Sequence, residues 1–321
     1  MKKRYVFIDI AKALGIILVV FNHCHIGDTV NFYYAIGRLG VPLLLFSSGY
    51  ILFDKKINGI HDIIDFYKKY LLKFFICNFI WVIIWNIFNI IYFGAVINIK
   101  SLVLEIIAIK HTDNMWNSWF QMPMFGYYIL LPIIKYFMDK LNRKQINILL
   151  ILSIIYFYIL PSFGINSIAG VELKHALYYI APYFILYPLI GYLCKIKMTN
   201  VIYLIAILFY YLNNKLTFRA VTYADIWILL TGFICFRFIC NIETCNFEKV
   251  FEYISKRTLS IFYIHMPLRH ILGQYIVYIP IKNSHIQTIM LVIFDIIGSL
   301  LIIKILEIIP LKKLYKYLLF R

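Results

Sequence analysis

The chain has 321 residues, of which 63% are hydrophobic and only 15% charged, with a net charge of +17. A water-soluble domain carries about a quarter charged residues, which excludes a soluble enzyme, and runs such as ILLILSIIYFYIL at 148–160 lack the alternation of outer-membrane strands. An anionic membrane surface accounts for the positive charge without any nucleic acid, and the pattern predicts an all-α, polytopic membrane protein.

Ten membrane helices are predicted, near 5–23, 33–53, 71–97, 118–138, 146–163, 176–194, 199–213, 221–241, 257–279 and 286–309. Most approach the ~20 residues that cross a bilayer; the seventh is the shortest. The first follows MKKR and imitates a secretory signal. Lys12 inside its apolar run, and NHCHIGD where small cleavage-site residues belong, argue for a retained helix. The connecting segments 98–117 and 242–256 are too short for a soluble domain. A single transmembrane domain over 1–321 is therefore expected, with no fused soluble domain and no internal repeat. The six cysteines are scattered without a CxxC pair and read as small apolar side chains, with no disulfide and no metal site.

Orientation follows the lysines and arginines. With the N-terminus inside, 20 of them fall in the ends and loops of the inner side and 6 in those of the outer side. The asymmetry predicts ten spans with both termini cytoplasmic. Abundant Ile, Lys, Asn and Phe suggest an AT-rich bacterial genome, hence a bacterial cytoplasmic membrane.

The first helix, FIDIAKALGIILVVFNH (7–23), carries Asp9, Lys12 and a terminal His23. Eleven residues separate Lys12 from His23, which places them about 20° apart around a helix and roughly 16 Å apart along it. Asp9, three residues before Lys12, can pair with it on the same face, and Gly15, Ile16 and Val19 continue the stripe. His25 points elsewhere. Two readings stay open on these residues alone: an anchoring helix with a snorkelling lysine and a polar end, or a functional site, since ionisable groups inside a membrane usually have one.

Five pieces in order resemble the acyltransferase-3 family of integral-membrane O-acyltransferases. They are IDIAKALGIILVVFNH with Asp9, Lys12 and His23; VPLLLFSSGYILF (41–53) with its Ser-Gly-aromatic element; and the basic FYKKYLLKFF (66–75). Then come the Trp-rich MWNSWFQMPMFGYYILLPII (115–134) and RTLSIFYIHMPL (257–268). Two departures stand out. Lysine replaces the family's usual arginine at position 12, losing its bidentate fork. Tyr70 and Lys73 occupy the positions where the basic segment often has two arginines.

The resemblance implies an O-acyltransferase, most simply an O-acetyltransferase, with acetyl-CoA or another acyl-CoA as cytosolic co-substrate and no metal. The acceptor it implies is a hydroxyl of a cell-surface polysaccharide or its lipid-linked precursor. His23 is then the catalytic base or a transient acyl carrier, with Lys12 and Asp9 behind it in the donor channel. Lys68, Lys69 and Lys73 meet the nucleotide phosphates or simply anchor the inner face. His265 lines the donor entrance or is a packed polar histidine. Ser48, Trp116, Trp119 and Glu172 are candidate acceptor contacts; Ser48 with Gly49 equally suits close helix packing, and the tryptophans equally suit an interfacial belt. The competing function is a transporter exporting a polysaccharide or an intermediate. It favours paired repeats with broken helices, and none is visible. A scaffold for glycan assembly would have no need of the Lys12–His23 stripe.

Overall fold

The computed structural model describes residues 4–26, 36–155, 167–168, 171–172, 182–194, 223, 226–276, 278–281 and 283–308. The seventh expected helix (199–213), Lys174, and parts of the expected helices at 33–53, 146–163, 176–194 and 221–241 lie outside them. The described chain is helical apart from one antiparallel pair of two-residue strands, β1 (Ser167–Ile168) and β2 (Val171–Glu172).

Helix α1 (Val6–His23) is the hub. Its buried residues, among them Ile8, Ala11, Ile16, Val20 and Asn22, fall on every side of the helix, as expected for a helix enclosed by others. It packs against α2 (Gly40–Leu52), α8 (Ile226–Ile239), α9 (Glu248–Ser255), α10 (Thr258–Ile276) and α11 (Ser284–Ile308). Helix α2 is held from two sides by glycine contacts. A Cβ on Gly40 would lie 2.5 Å from the Gly15 carbonyl oxygen, and one on Gly49 would collide with the backbone carbonyl of Pro188 in α7 (Pro182–Leu193). Gly40 and Gly49 are nine residues apart, hence on opposite faces of α2. Small residues let membrane helices approach to backbone contact in this way.

The third predicted helix starts too late. Instead of beginning at 71, α3 runs from Ile60 to Phe93, straight through the basic segment. It widens to a π-turn over Tyr67–Leu71 and stops at Gly94, whose φ of +65° suits glycine at a helix C-terminus. Its buried asparagines hold the loop that follows. Asn78 Nδ2 donates to Ile106 O at 3.0 Å, Asn86 Nδ2 to Glu105 Oε2 at 2.8 Å and Asn89 Nδ2 to Asp113 O at 2.7 Å. That loop contains an unpredicted short helix, α4 (Ile99–Ile106). A 3-10 turn, Trp116–Phe120, leads into α5 (Gln121–Met138), and α6 (Arg143–Ile154) begins with an Asn142–Gln145 capping box. Helix α9, in the segment 242–256, was likewise not foreseen. Both α4 and α9 are short and amphipathic, and lack the long apolar run that reveals a membrane helix.

Among the described residues, three helices are long and apolar enough to cross a membrane: Val6–His23, Ile60–Phe93 and Ser284–Ile308. Helix α10 has 19 residues, but His265, Arg269, His270 and Gln274 lower its hydropathy. His265 is buried, Arg269 and His270 bond the backbone carbonyls of His23 and Asn114, and Gln274 is exposed.

Candidate active site

His23 ends α1, half-buried against α10. Its ring centroid lies 5.4 Å from that of His265, with the planes tilted by 44°. His265 is fully enclosed, and its Nδ1 donates to the Phe262 carbonyl at 2.7 Å. One turn further along α10, Arg269 Nε donates to the His23 carbonyl oxygen at 2.9 Å. This satisfies one of the carbonyls that a helix end leaves open, and it fixes the backbone from which the His23 ring projects. Neither ring nitrogen of His23 has a hydrogen bond among the described residues, so the imidazole is available for proton transfer or nucleophilic attack.

Cys24 and Ile26, just beyond His23, tie α1 to α11. Cys24 Sγ donates to Asp295 Oδ2 at 3.5 Å, Ser299 Oγ donates to Asp295 Oδ1 at 3.3 Å, and Ile26 N donates to Thr288 Oγ1 at 3.1 Å. Asp295 is fully buried, and these weak donors are what hold it there. From the other side, Asn117 Nδ2 donates to Phe262 O at 2.7 Å, while Trp85 Nε1 donates to Tyr263 O at 2.9 Å. Both bonds reach carbonyls in the middle of α10, one turn before His265 or less, and so locate that turn relative to α3 and α5.

A cavity of about 270 Å³ runs between α1, α2, α3, α5 and α10. Lys12, Ser48, Tyr70, Phe74, Lys256 and Phe262 are among its lining residues. Phe262 is three residues before His265, so this wall ends about one helical turn from the histidine pair. Tyr70 and Phe74 reach the cavity at i, i+4 spacing, immediately at and after the π-turn. The cavity is mostly apolar with cationic groups at Lys12 and Lys256, which suits a largely apolar substrate that also carries negative charge.

The expected pairing of Asp9 with Lys12 is not what forms. Asp9 Oδ2 accepts from Arg4 Nε at 2.8 Å, and Arg4 Nη1 also reaches Glu252 Oε2 at 3.0 Å. Arg4 sits just before α1, where its long side chain reaches both carboxylates, and the hydrogen bond it donates to Asp9 raises its pKa. Lys12 makes no ion pair among the described residues; it lines the cavity.

Lys68 and Lys69 are exposed and Lys73 is half-buried. None of the three lines the cavity; Lys256, bonded to Glu252 Oε1 at 2.6 Å, does. Ser48 both lines the cavity and lies 3.2 Å from Tyr127 Oη, whereas its neighbour Gly49 serves packing. Trp116 is 66% exposed. Trp119 is half-buried and faces Tyr223 at 5.1 Å, over which Arg38 also stacks at 5.2 Å. Glu172 belongs to β2. The structure thus brings His23 together with His265, not His265 with the lysines.

Arg269, Asp295 and Asn117 escaped the reading of the sequence. The His265-Arg269 spacing of four, which puts both on one helix face, was the available signal. Among the described residues, no three His, Cys, Asp or Glu side chains gather as metal ligands.

A family model described as an acyltransferase domain, that of the acyltransferase-3 family, matches residues 5–306. No curated protein and no solved structure matches the chain.

Proposed function

The chain belongs to the acyltransferase-3 family and is a membrane acyltransferase, and from that premise we propose that it carries an acyl group from cytosolic acyl-CoA to a hydroxyl of a cell-surface polysaccharide or its lipid-linked precursor. Acetyl-CoA is the simplest donor. The protein sits in a bacterial cytoplasmic membrane, crossing it about ten times with both termini inside. The observation that carries the reading is a single helix joining two features. Lys12 of α1 lines a narrow cavity, and His23 at the end of α1 meets a second, buried histidine.

In this reading the acyl-bearing arm of the donor enters the cavity from the side of Lys256 and runs past Lys12 and Ser48 towards Phe262. Lys256 contacts the donor's phosphates at the mouth, with Lys68, Lys69 and Lys73 adding positive potential nearby. At the far end His23 takes the proton of the acceptor hydroxyl as its oxygen attacks the thioester carbonyl. The carbon–sulfur bond breaks, and the leaving thiolate recovers that proton from His23. Proton gain and loss balance, so the reaction needs no other acid or base. An imidazole is suited to this because the same ring nitrogen can take up a proton and give it back.

The test is mass spectrometry of surface glycans from cells with the gene, without it, and with His23→Ala. The acyl mass is expected to vanish in the second and third, with the variant protein still present in membranes. An acyl mass that persists at the normal level in the His23→Ala cells refutes the assignment.

A further inference from the structure

Among the buried acceptor atoms without a hydrogen-bond partner among the described residues are His265 Nε2, whose ring lies against that of His23, and Asn117 Oδ1. Their side chains are 0% and 1% exposed. They come from different elements, α10 and the 3-10 turn before α5, yet both are pinned to the same carbonyl oxygen. His265 Nδ1 and Asn117 Nδ2 each donate to Phe262 O at 2.7 Å.

The pinning decides the chemistry of the other ends. A carbonyl oxygen only accepts, so Nδ1 of a neutral His265 carries the hydrogen and Nε2 presents a lone pair. The same carbonyl orients the Asn117 amide with its nitrogen inwards, leaving Oδ1 as an acceptor. Buried acceptors left unmade are costly, so what completes this place brings hydrogens. The reacting end of a thioester has none to give. An alcohol does.

Building on the acyltransferase reading, we infer that His265 Nε2 and Asn117 Oδ1 form a hydroxyl-binding subsite that holds the acyl acceptor against His23. The reacting hydroxyl gives its hydrogen to His23, and neighbouring hydroxyls donate to His265 and Asn117. The acceptor is therefore a polyol with hydroxyls on adjacent carbons, not an isolated alcohol or a thiol. His265 and Asn117 are positioning residues; neither takes part in bond making. The two imidazole centroids are 5.4 Å apart, so an acceptor held at His265 lies beside the His23 ring.

The experiment uses the full chain in liposomes, with acetyl-CoA as donor and, as acceptor, the glycan fraction extracted from cells lacking the gene. His265→Phe and Asn117→Ala are each expected to raise the acceptor KM about tenfold or more. The affinity for acetyl-CoA, read by titration without acceptor, stays within twofold of wild type. His265→Gln keeps a donor for the Phe262 carbonyl and an acceptor atom at the far end, and is expected to recover most of the loss, which a purely structural role would not predict. An unchanged acceptor KM in both His265→Phe and Asn117→Ala would assign the two atoms to ordered water and overturn the subsite. A parallel loss of acetyl-CoA affinity in both would make them parts of the donor site or of the fold, and also overturn it. Failure of the wild-type protein to move acetyl to any glycan would overturn the acyltransferase reading, and this one with it.

Discussion

Replacing Arg269 by glutamine tests whether the position of His23 depends on the bond between α10 and the end of α1. Arg269 Nε donates to the His23 carbonyl at 2.9 Å from a half-buried position. A hydrogen bond from a charged donor contributes about 1.5–3 kcal/mol, and a cation at a helix C-terminus adds about 0.3–1 kcal/mol. If the loss falls on the alignment of His23 in the transition state, 1.36 kcal/mol per tenfold converts the combined loss to a rate reduction of about 20- to 900-fold. The larger figure applies only if nothing relaxes to replace the bond. Arg269→Lys keeps the charge but not the Nε geometry and is expected to fall in between. The assay is acyl incorporation from labelled acyl-CoA into extracted glycan, normalised to the amount of folded protein in membranes. A normal rate in Arg269→Gln would show that His23 is placed by α1 alone, and the argument from α10 would fail.

Lys12→Met is expected to weaken donor binding at least tenfold with little change in thermal stability, because Asp9 is held by Arg4 and is not orphaned; a large drop in the melting temperature in detergent would contradict this. Lys12→Arg is expected to retain activity, since the cavity of about 270 Å³ beside residue 12 accommodates the longer side chain, and a loss of donor affinity equal to that of Lys12→Met would count against it. Gly49→Leu is expected to destabilise the protein by at least about 1–3 kcal/mol, because its side chain meets the Pro188 backbone; a melting temperature equal to wild type would refute the close approach of α2 and α7. For the topology, a cysteine placed at Asn58 is expected to react with an impermeant label only after lysis and one at Leu216 in intact cells, and the reverse pattern would invert the protein in the membrane.

Composition and apolar run length alone identified a membrane protein built of helices, because a bilayer leaves the backbone few other ways to satisfy its hydrogen bonds. The spacing of Lys12 and His23 on one helix was equally legible, since both residues belong to one continuous stretch with a fixed period, and five ordered pieces pointed to the family that the match over 5–306 establishes. Pairing was not legible. Asp9 lies three residues from Lys12 and yet bonds Arg4, because a lysine facing a cavity is not turned towards its own helix, whereas an arginine ahead of the helix can swing across to it. The basic segment, expected to lead into a helix beginning at 71, lies inside a helix that begins at Ile60, because lysines on an exposed face cost a helix little. Above all, the neighbour of His23 is a residue 242 positions later, brought there by glycine-permitted packing and by bonds from Asn117, Trp85 and Arg269 onto backbone carbonyls. Periodicity along one segment states which way a side chain faces; what it faces is decided by how helices far apart in the chain pack together.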